Sequence, residues 1–226
     1  MEIVILDPGY KSYDSEKEIF KKGGFHLRIF HSAEGSLSEK TEFAKNADGI
    51  LVRHTRIDES FLSAMNNLKA VVRYGVGYDN IDVESCTRHG VRVANVQGYA
   101  NQSVSDHAIA LMFSCTRALW NPRLQLMNRF SAPPVPDIFE LHNKTLGIIG
   151  LGRIGSELCK KASHFFMQVL SCDPYNPESH FSRLHTRKVE LNELLEKSDV
   201  ISLHCNLTPE TRHLLSRDQF LIMKKK

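Results

Sequence analysis

The sequence predicts an α/β protein made of two doubly wound parallel-sheet domains, residues 1–99 and 100–226. Three observations lead there. Short apolar runs alternate with helical patterns along most of the chain, as a parallel sheet covered by helices on both faces requires. One of those runs, Thr145–Ile149, leads directly into G-x-G-x-x-G at Gly150, Gly152 and Gly155, and then into a helix. The length of 226 residues leaves room for two domains of about 100 residues each.

In the first domain the strands are Glu2–Leu6, Phe25–Phe30, a third with its core at Ile50–Val52, Ala70–Arg73 and Val91–Ala94. Helices are expected over about Ser15–Lys22, closed by Gly23-Gly24, and over Ser38–Lys45. A short one follows Asp58 as cap and runs to Met65, and another starts after Asp82 and stops at Gly90. A long helix from about Gln102 to Leu119 carries one apolar stripe of Val104, Ala108, Leu111, Met112, Cys115 and Leu119. The connector Asn121–Asn143 holds four prolines. Beyond it come strand Thr145–Ile149, a helix from about Arg153 to Phe166, and strand Met167–Cys172. A polar loop, a short strand near Lys188–Val189, helix Asn192–Lys197 and strand Asp199–His204 complete the order, with a last helical region opening at Pro209.

The glycine unit carries the most specific chemistry. Gly150 permits a tight strand-to-helix turn, Gly152 removes the Cβ that would keep a diphosphate from the backbone, and Gly155 lets helix and strand approach. The helix N-terminus offers free N–H groups and about half a positive charge to phosphates. Asp173, 18 residues past Gly155, stands at the end of the next strand, where a carboxylate accepts hydrogen bonds from the two adenosine ribose hydroxyls. A 2′-phosphate there would be repelled, so NAD is favoured over NADP. Arg153 sits in the turn and either touches the diphosphate or is simply solvated.

Composition excludes several classes. The formal charge of +3 equals the run Lys224–Lys226, so the body of the protein is close to neutral, and neither nucleic acid nor a membrane surface is expected as a partner. Five widely spaced cysteines without C-x-x-C read as buried free thiols in a reducing, cytoplasmic setting. No apolar run approaches the roughly 18 residues of a membrane span. Among eleven histidines none shows a ligand spacing; His180 and His185 fall in a polar loop, and no metal site is expected.

Four stretches in order, R-Y-G-V-G-Y-D-N-I-D (Arg73–Asp82), N-Q-S-V-S-D-H-A (Asn101–Ala108), G-L-G-R-I-G with D-P-Y (Asp173–Tyr175), and S-D-V-I-S-L-H-C-N-L-T-P-E-T-R-H-L-L (Ser198–Leu215), resemble the D-isomer-specific 2-hydroxyacid dehydrogenases. The resemblance implies a flavodoxin-like substrate domain and a Rossmann NAD-binding domain with the active site in the cleft. It also implies hydride transfer between NAD(H) and a small 2-keto or 2-hydroxy acid, and a homodimer through the long helix. It implies that Gly75, Val76 and Gly77 hold the substrate carboxylate through backbone N–H groups, although glycine also favours a plain turn there. Tyr99 and Asn101 would lie near the cleft; Tyr99 reads equally as a packed aromatic and Asn101 as a helix cap. Val104 would pack on the nicotinamide or, equally, in the core. Gly150, Gly152, Arg153, Ile154, Gly155 and Asp173 would bind the cofactor, with His204, Cys205 and Asn206 facing its adenosine. Family members often carry proline in place of Asn206 and of Gln97, and glycine in place of Phe166.

The family's catalytic histidine, glutamate and arginine match no residue of this chain and are expected downstream of Lys226. The resemblance therefore implies a C-terminally truncated form, inactive alone, whose cofactor sheet keeps strands in the order 3-2-1-4 and leaves Asp199–His204 as an open edge. The alternative on the same scaffold is an NADH-sensing, corepressor-like binding protein.

Overall fold

The inner strands of the first unit carry apolar residues on both sides, and the fold uses both. In the computed structural model, which describes residues 1–32, 34–119, 127 and 138–225, the first five strands are β1 Glu2–Ile5, β2 His26–Ile29, β3 Gly49–Val52, β4 Ala70–Arg73 and β5 Arg92–Asn95. They form one parallel sheet in the order β2-β1-β3-β4-β5. Side chains alternate across a strand, so Val4, Leu6, Ile50, Val52 and Val71 pack into one core while Ile5, Leu51 and Val72 pack into another on the opposite face. Each fully buried side chain of this size contributes roughly 1.5–3 kcal/mol. That two-sided burial explains why the inner strands β1, β3 and β4 read as apolar runs, while the edge strands β2 and β5 also carry His26, Arg28, Arg92 and Asn95.

The helices between them are α1 Asp14–Lys22, α2 Leu37–Ala44, α3 Glu59–Ser63 and α4 Val83–Arg88. Local capping sets their starts. Ser36 and Glu39 form a reciprocal capping box on α2. The carboxylates of Asp58 and Asp82 accept the Phe61 and Ser85 N–H groups at 3.2 and 2.9 Å, as expected of N-cap residues.

The chain divides into two compact units, Met1–Gln97 and Gly98–Lys226. The second begins with α5 Asn101–Thr116 and continues with β6 Thr145–Ile149, α6 Arg153–Ala162, β7 Gln168–Cys172, α7 Glu178–Arg183, β8 Arg187–Lys188, α8 Leu191–Lys197, β9 Val200–Leu203 and α9 Arg217–Ile222. Its parallel sheet has the order β8-β7-β6-β9, which is the 3-2-1-4 order expected. Among the described residues β9 pairs only with β6, so its other edge is open. Most of the predicted connector Asn121–Asn143 lies outside the described residues.

Several expectations need correction. The apolar stripe on α5 packs only in part, through Ala108 and Met112. Ser105, Met112 and Thr116 are the buried residues of this helix, whereas Val104, Leu111, Cys115 and Leu119 are exposed. The reason is the neighbour: α5 lies against α6, where Lys161 Nζ donates to Ser105 Oγ at 2.7 Å and pairs with Asp106 at 2.6 Å. Asn101 is the first residue of the helix and not its cap, which is Ala100. The cysteines are not uniformly buried either. Cys86 and Cys159 are, Cys172 and Cys205 are half-buried, and Cys115 is exposed on the unpacked side of α5. Burial pushes the Cys159 thiol up to about 11. His180 lies within α7 and not in a loop, and α9 starts only at Arg217, after turns that occupy the segment from Pro209.

One feature of the first unit has no sequence signature. Asp7, at the carboxyl end of β1, is 3% exposed and accepts the N–H groups of Arg53, His54 and Thr55 at 2.8, 2.8 and 2.9 Å. Its other oxygen meets Lys40 Nζ at 2.8 Å and the Thr55 hydroxyl at 2.5 Å. Burial opposes ionisation here, but the Lys40 ammonium, the Thr55 hydroxyl and the backbone N–H groups outweigh it and hold the carboxyl well below the usual range. Removing one member of such a pair leaves an uncompensated buried charge. Asp7→Asn is expected to lower stability by about 3–5 kcal/mol in urea unfolding. A depressed folded-state pKa stabilises above the unfolded value near 4 and ceases to as pH falls toward the folded value. The wild type should therefore lose stability more steeply below about pH 4 than Asp7→Asn does.

Candidate functional site

The candidate cofactor site is built at the carboxyl ends of β6, β7 and β9. Ile149 lies opposite Cys172 on one side and Leu203 on the other, so the residues just beyond these positions converge. Gly150 takes φ +88°, a left-handed conformation that suits glycine. A Cβ there would also stand 2.5 Å from the Cys205 backbone nitrogen, because the chain leaving β9 passes against the turn. A Cβ on Gly155 would run into the Gly150 carbonyl oxygen, so this glycine is required for α6 to start so close to the strand. Gly152 differs from both: a Cβ there would meet nothing within 4 Å. It is the N-cap of α6 and faces open space. Arg153 is exposed at the first position of the helix, and Ile154 beside it is half-buried.

Asp173 closes on this turn from β7. Its Oδ2 accepts the Leu151 N–H at 2.8 Å and the Asn176 side-chain amide at 2.9 Å, and its Oδ1 accepts the Tyr175 N–H at 2.9 Å. An ionised carboxylate has about four accepting directions. Three are taken, so the free direction on Oδ1 is open to one further hydroxyl donor rather than the two read from the sequence. His204 N–H donates to Ile149 O at 2.7 Å, and burial lowers the pKa of its ring, whose Nε2 lies 2.8 Å from Ser202 Oγ. Cys205 is half-buried and Asn206 exposed. Gly150, Gly152, Gly155, Asp173, His204 and Cys205 are thus brought to one end of one sheet. Val104 lies on α5, where it lines a groove against β9 together with His107, Leu111 and His204.

In the first unit Gly75, Val76 and Gly77 follow β4. Gly75 O accepts the Val96 N–H at 3.1 Å and Val76 O accepts the Asn95 amide at 2.7 Å, which turns these carbonyls toward β5. The N–H groups of Val76 and Gly77 meet no acceptor among the described residues. Arg73, which sequence reasoning left without a role, lies against Gly75 with its Nε buried and without an acceptor among the described residues. An arginine two residues before G-V-G was the available signal. Tyr99 is 65% exposed and makes no core contact, against the packed-aromatic reading. Among the described residues no group of three or more His, Cys, Asp or Glu side chains could hold a metal, and no helix is long and apolar enough to cross a membrane.

An open parallel sheet with a glycine turn, a helix N-terminus and an acidic residue at its carboxyl edge defines a dinucleotide-binding α/β protein. Comparison with known proteins narrows the class. The family described as D-isomer specific 2-hydroxyacid dehydrogenase, NAD binding domain, matches residues 109–226. A D-3-phosphoglycerate dehydrogenase of Methanocaldococcus jannaschii is 37% identical over 233 residues, which take in all of this chain and 42% of that protein. Two solved structures each cover 99% of this chain at 27% identity. An acyclic imino acid reductase in complex with NADPH and D-Arg has a TM-score of 0.85 over 71% of its own chain, and a D-lactate dehydrogenase of Aquifex aeolicus complexed with NAD and lactic acid has 0.82 over 66%. The chain belongs to the D-isomer specific 2-hydroxyacid dehydrogenase family. Its second unit contains that family's NAD-binding domain, and NAD is the cofactor. The chain spans about two fifths of the Methanocaldococcus relative, at 42% of its length.

The different surroundings of Gly155 and Gly152 give a direct stability contrast. Gly155→Ala should destabilise the second unit by about 1–3 kcal/mol through overpacking against backbone, while Gly152→Ala should stay within about 0.5 kcal/mol of wild type. Urea unfolding followed by far-UV circular dichroism measures both.

Proposed function

We propose that this chain binds NAD(H) at the carboxyl ends of β6, β7 and β9, and serves an oxidoreductase acting on a small D-2-hydroxy acid and its 2-keto partner. In that reaction the keto carbon gains a hydride from the nicotinamide and its oxygen gains a proton. The observation that carries the reading is the empty space over Gly152, flanked by the helix N-terminus and by Asp173. Gly150, Gly152, Arg153, Ile154 and Gly155 cradle the diphosphate, and Asp173 takes a ribose hydroxyl on its free Oδ1. His204, Cys205 and Asn206 flank the adenosine, and Val104 lies against the nicotinamide. The unpaired N–H groups of Val76 and Gly77, with Gly75 between them and Arg73, whose buried Nε lacks an acceptor among the described residues while its Nη1 donates to the Tyr74 carbonyl, suit the acid's carboxylate. Tyr99 and Asn101 are read as neighbours of the substrate. The exposed Leu111 and Cys115 on α5, with Leu119 just past its end, support a homodimer through this helix, and five unpaired cysteines support a cytoplasmic setting.

The neighbour with NADPH makes cofactor choice a sharp test. The protein should bind NADH at least about tenfold more tightly than NADPH, because a 2′-phosphate would meet a carboxylate with one accepting direction left and no cation among its bonded partners. Gly152→Val should weaken NADH binding by about tenfold or more with the circular dichroism spectrum unchanged, which titration calorimetry measures. Equal affinity for the two cofactors, or NADH binding unaffected by Gly152→Val, would overturn the assignment.

A further inference from the structure

The glycine turn is held from behind by a group of side chains that no motif contains. The carbonyl of Leu151 points inward, and three donors converge on it. Ser156 Oγ approaches at 3.0 Å, His180 Nε2 at 3.1 Å and the Asn176 amide at 3.3 Å. On the far side of the imidazole, Arg183 lies 2.7 Å from His180 Nδ1. A guanidinium can only donate, so Nδ1 is the acceptor and the ring hydrogen sits on Nε2. That hydrogen is shared between the Leu151 carbonyl and Ser156 Oγ, each 3.1 Å from Nε2, and the serine hydroxyl itself donates to the same carbonyl, so both routes end on Leu151 O. Arg183 and His180 both belong to α7, one helical turn apart, and they hold the ring in a single tautomer and orientation.

The consequence falls on the next atom group along the chain. Peptide planes are rigid, and no cis bond occurs among the described residues, so the Gly152 N–H points opposite to the Leu151 carbonyl. Leu151 is fully buried and its carbonyl is fixed toward the interior, whereas Gly152 is exposed and its N–H finds no acceptor among the described residues. We propose that His180, oriented by Arg183 and assisted by Ser156, is a positioning residue for the diphosphate. By locking the Leu151 carbonyl it aims the Gly152 N–H at the place where the diphosphate lies. The proposal rests on the dinucleotide reading and adds to it a residue more than 20 positions from the glycine motif.

A preorganised donor loses no free energy to orientation when ligand arrives, and a loosened one does. His180→Leu should therefore weaken NADH and ADP-ribose by about tenfold, as measured by titration calorimetry on the intact chain. Adenosine, which reaches Asp173 but carries no phosphate, should keep its affinity within about twofold by ligand-observed NMR. His180→Gln, whose amide can still donate to the carbonyl, should recover most of the loss. Ser156→Ala should act in the same direction and also spare adenosine, and it serves as the test if His180→Leu does not fold. A merely structural role would lower adenosine and ADP-ribose together, and that result overturns the proposal, as does unchanged ADP-ribose binding in both variants. If the wild type binds NADH while the variants show either of these patterns, the positioning role falls and the dinucleotide reading stands. A wild-type chain that binds none of the three ligands removes both.

Discussion

The hydrogen bond from the Leu151 N–H to Asp173 Oδ2, 2.8 Å long, is the constraint on which the cofactor end of the second unit depends. It joins the first turn after β6 to the last residue before the loop after β7, two segments that sheet pairing brings near but does not fix. With the N–H bound to a carboxylate and the carbonyl held by Ser156 and His180, both peptide groups of one residue are pinned. The glycines on either side can then serve opposite purposes. Gly150 and Gly155 are spaces that backbone fills, and Gly152 is a space that stays empty.

The first unit uses the same device in a closed form. Asp7 and Asp173 each stand at the carboxyl end of a strand and accept backbone N–H groups from a neighbouring loop. In the first case a lysine and a threonine complete the shell, and the carboxylate is sealed at 3% exposure. In the second no cation is among the bonded partners, and one oxygen keeps a free direction. A carboxylate with all its directions used can only hold a fold together, whereas one with a direction to spare can also receive a ligand. The difference between a structural and a binding acid here lies in coordination and not in residue type.

The strands, the glycine turn and the N-caps at Asp58 and Asp82 were legible in the sequence because each is local, whereas the 3-2-1-4 order of the second sheet came only through the family resemblance. Periodicity along a strand, a φ that needs glycine, and a side chain reaching three residues ahead all leave their mark within a few positions. The packing side of α5 was legible only at Ala108 and Met112. Its apolar residues occupy more than one face, and a serine, Ser105, was chosen as a contact by a lysine 56 residues away. The Asp7–Lys40 pair and the His180–Leu151 contact escaped for the same reason: their partners are 33 and 29 residues apart and belong to no pattern. Arg73 was visible beside its motif, but only its buried, unsatisfied Nε marks it as more than a strand-end charge.

The sealed Asp7–Lys40 pair also bears on how this sequence can drift. Either residue replaced alone strands its partner's charge in the interior, so a lineage crossing to an apolar solution must pass through a poorly folded intermediate or change both sites at once. Three amides of the Arg53–Thr55 loop hang on the same carboxylate. Even a double replacement would leave them without acceptors, so the pair and the loop bind each other's choices and neither can change freely.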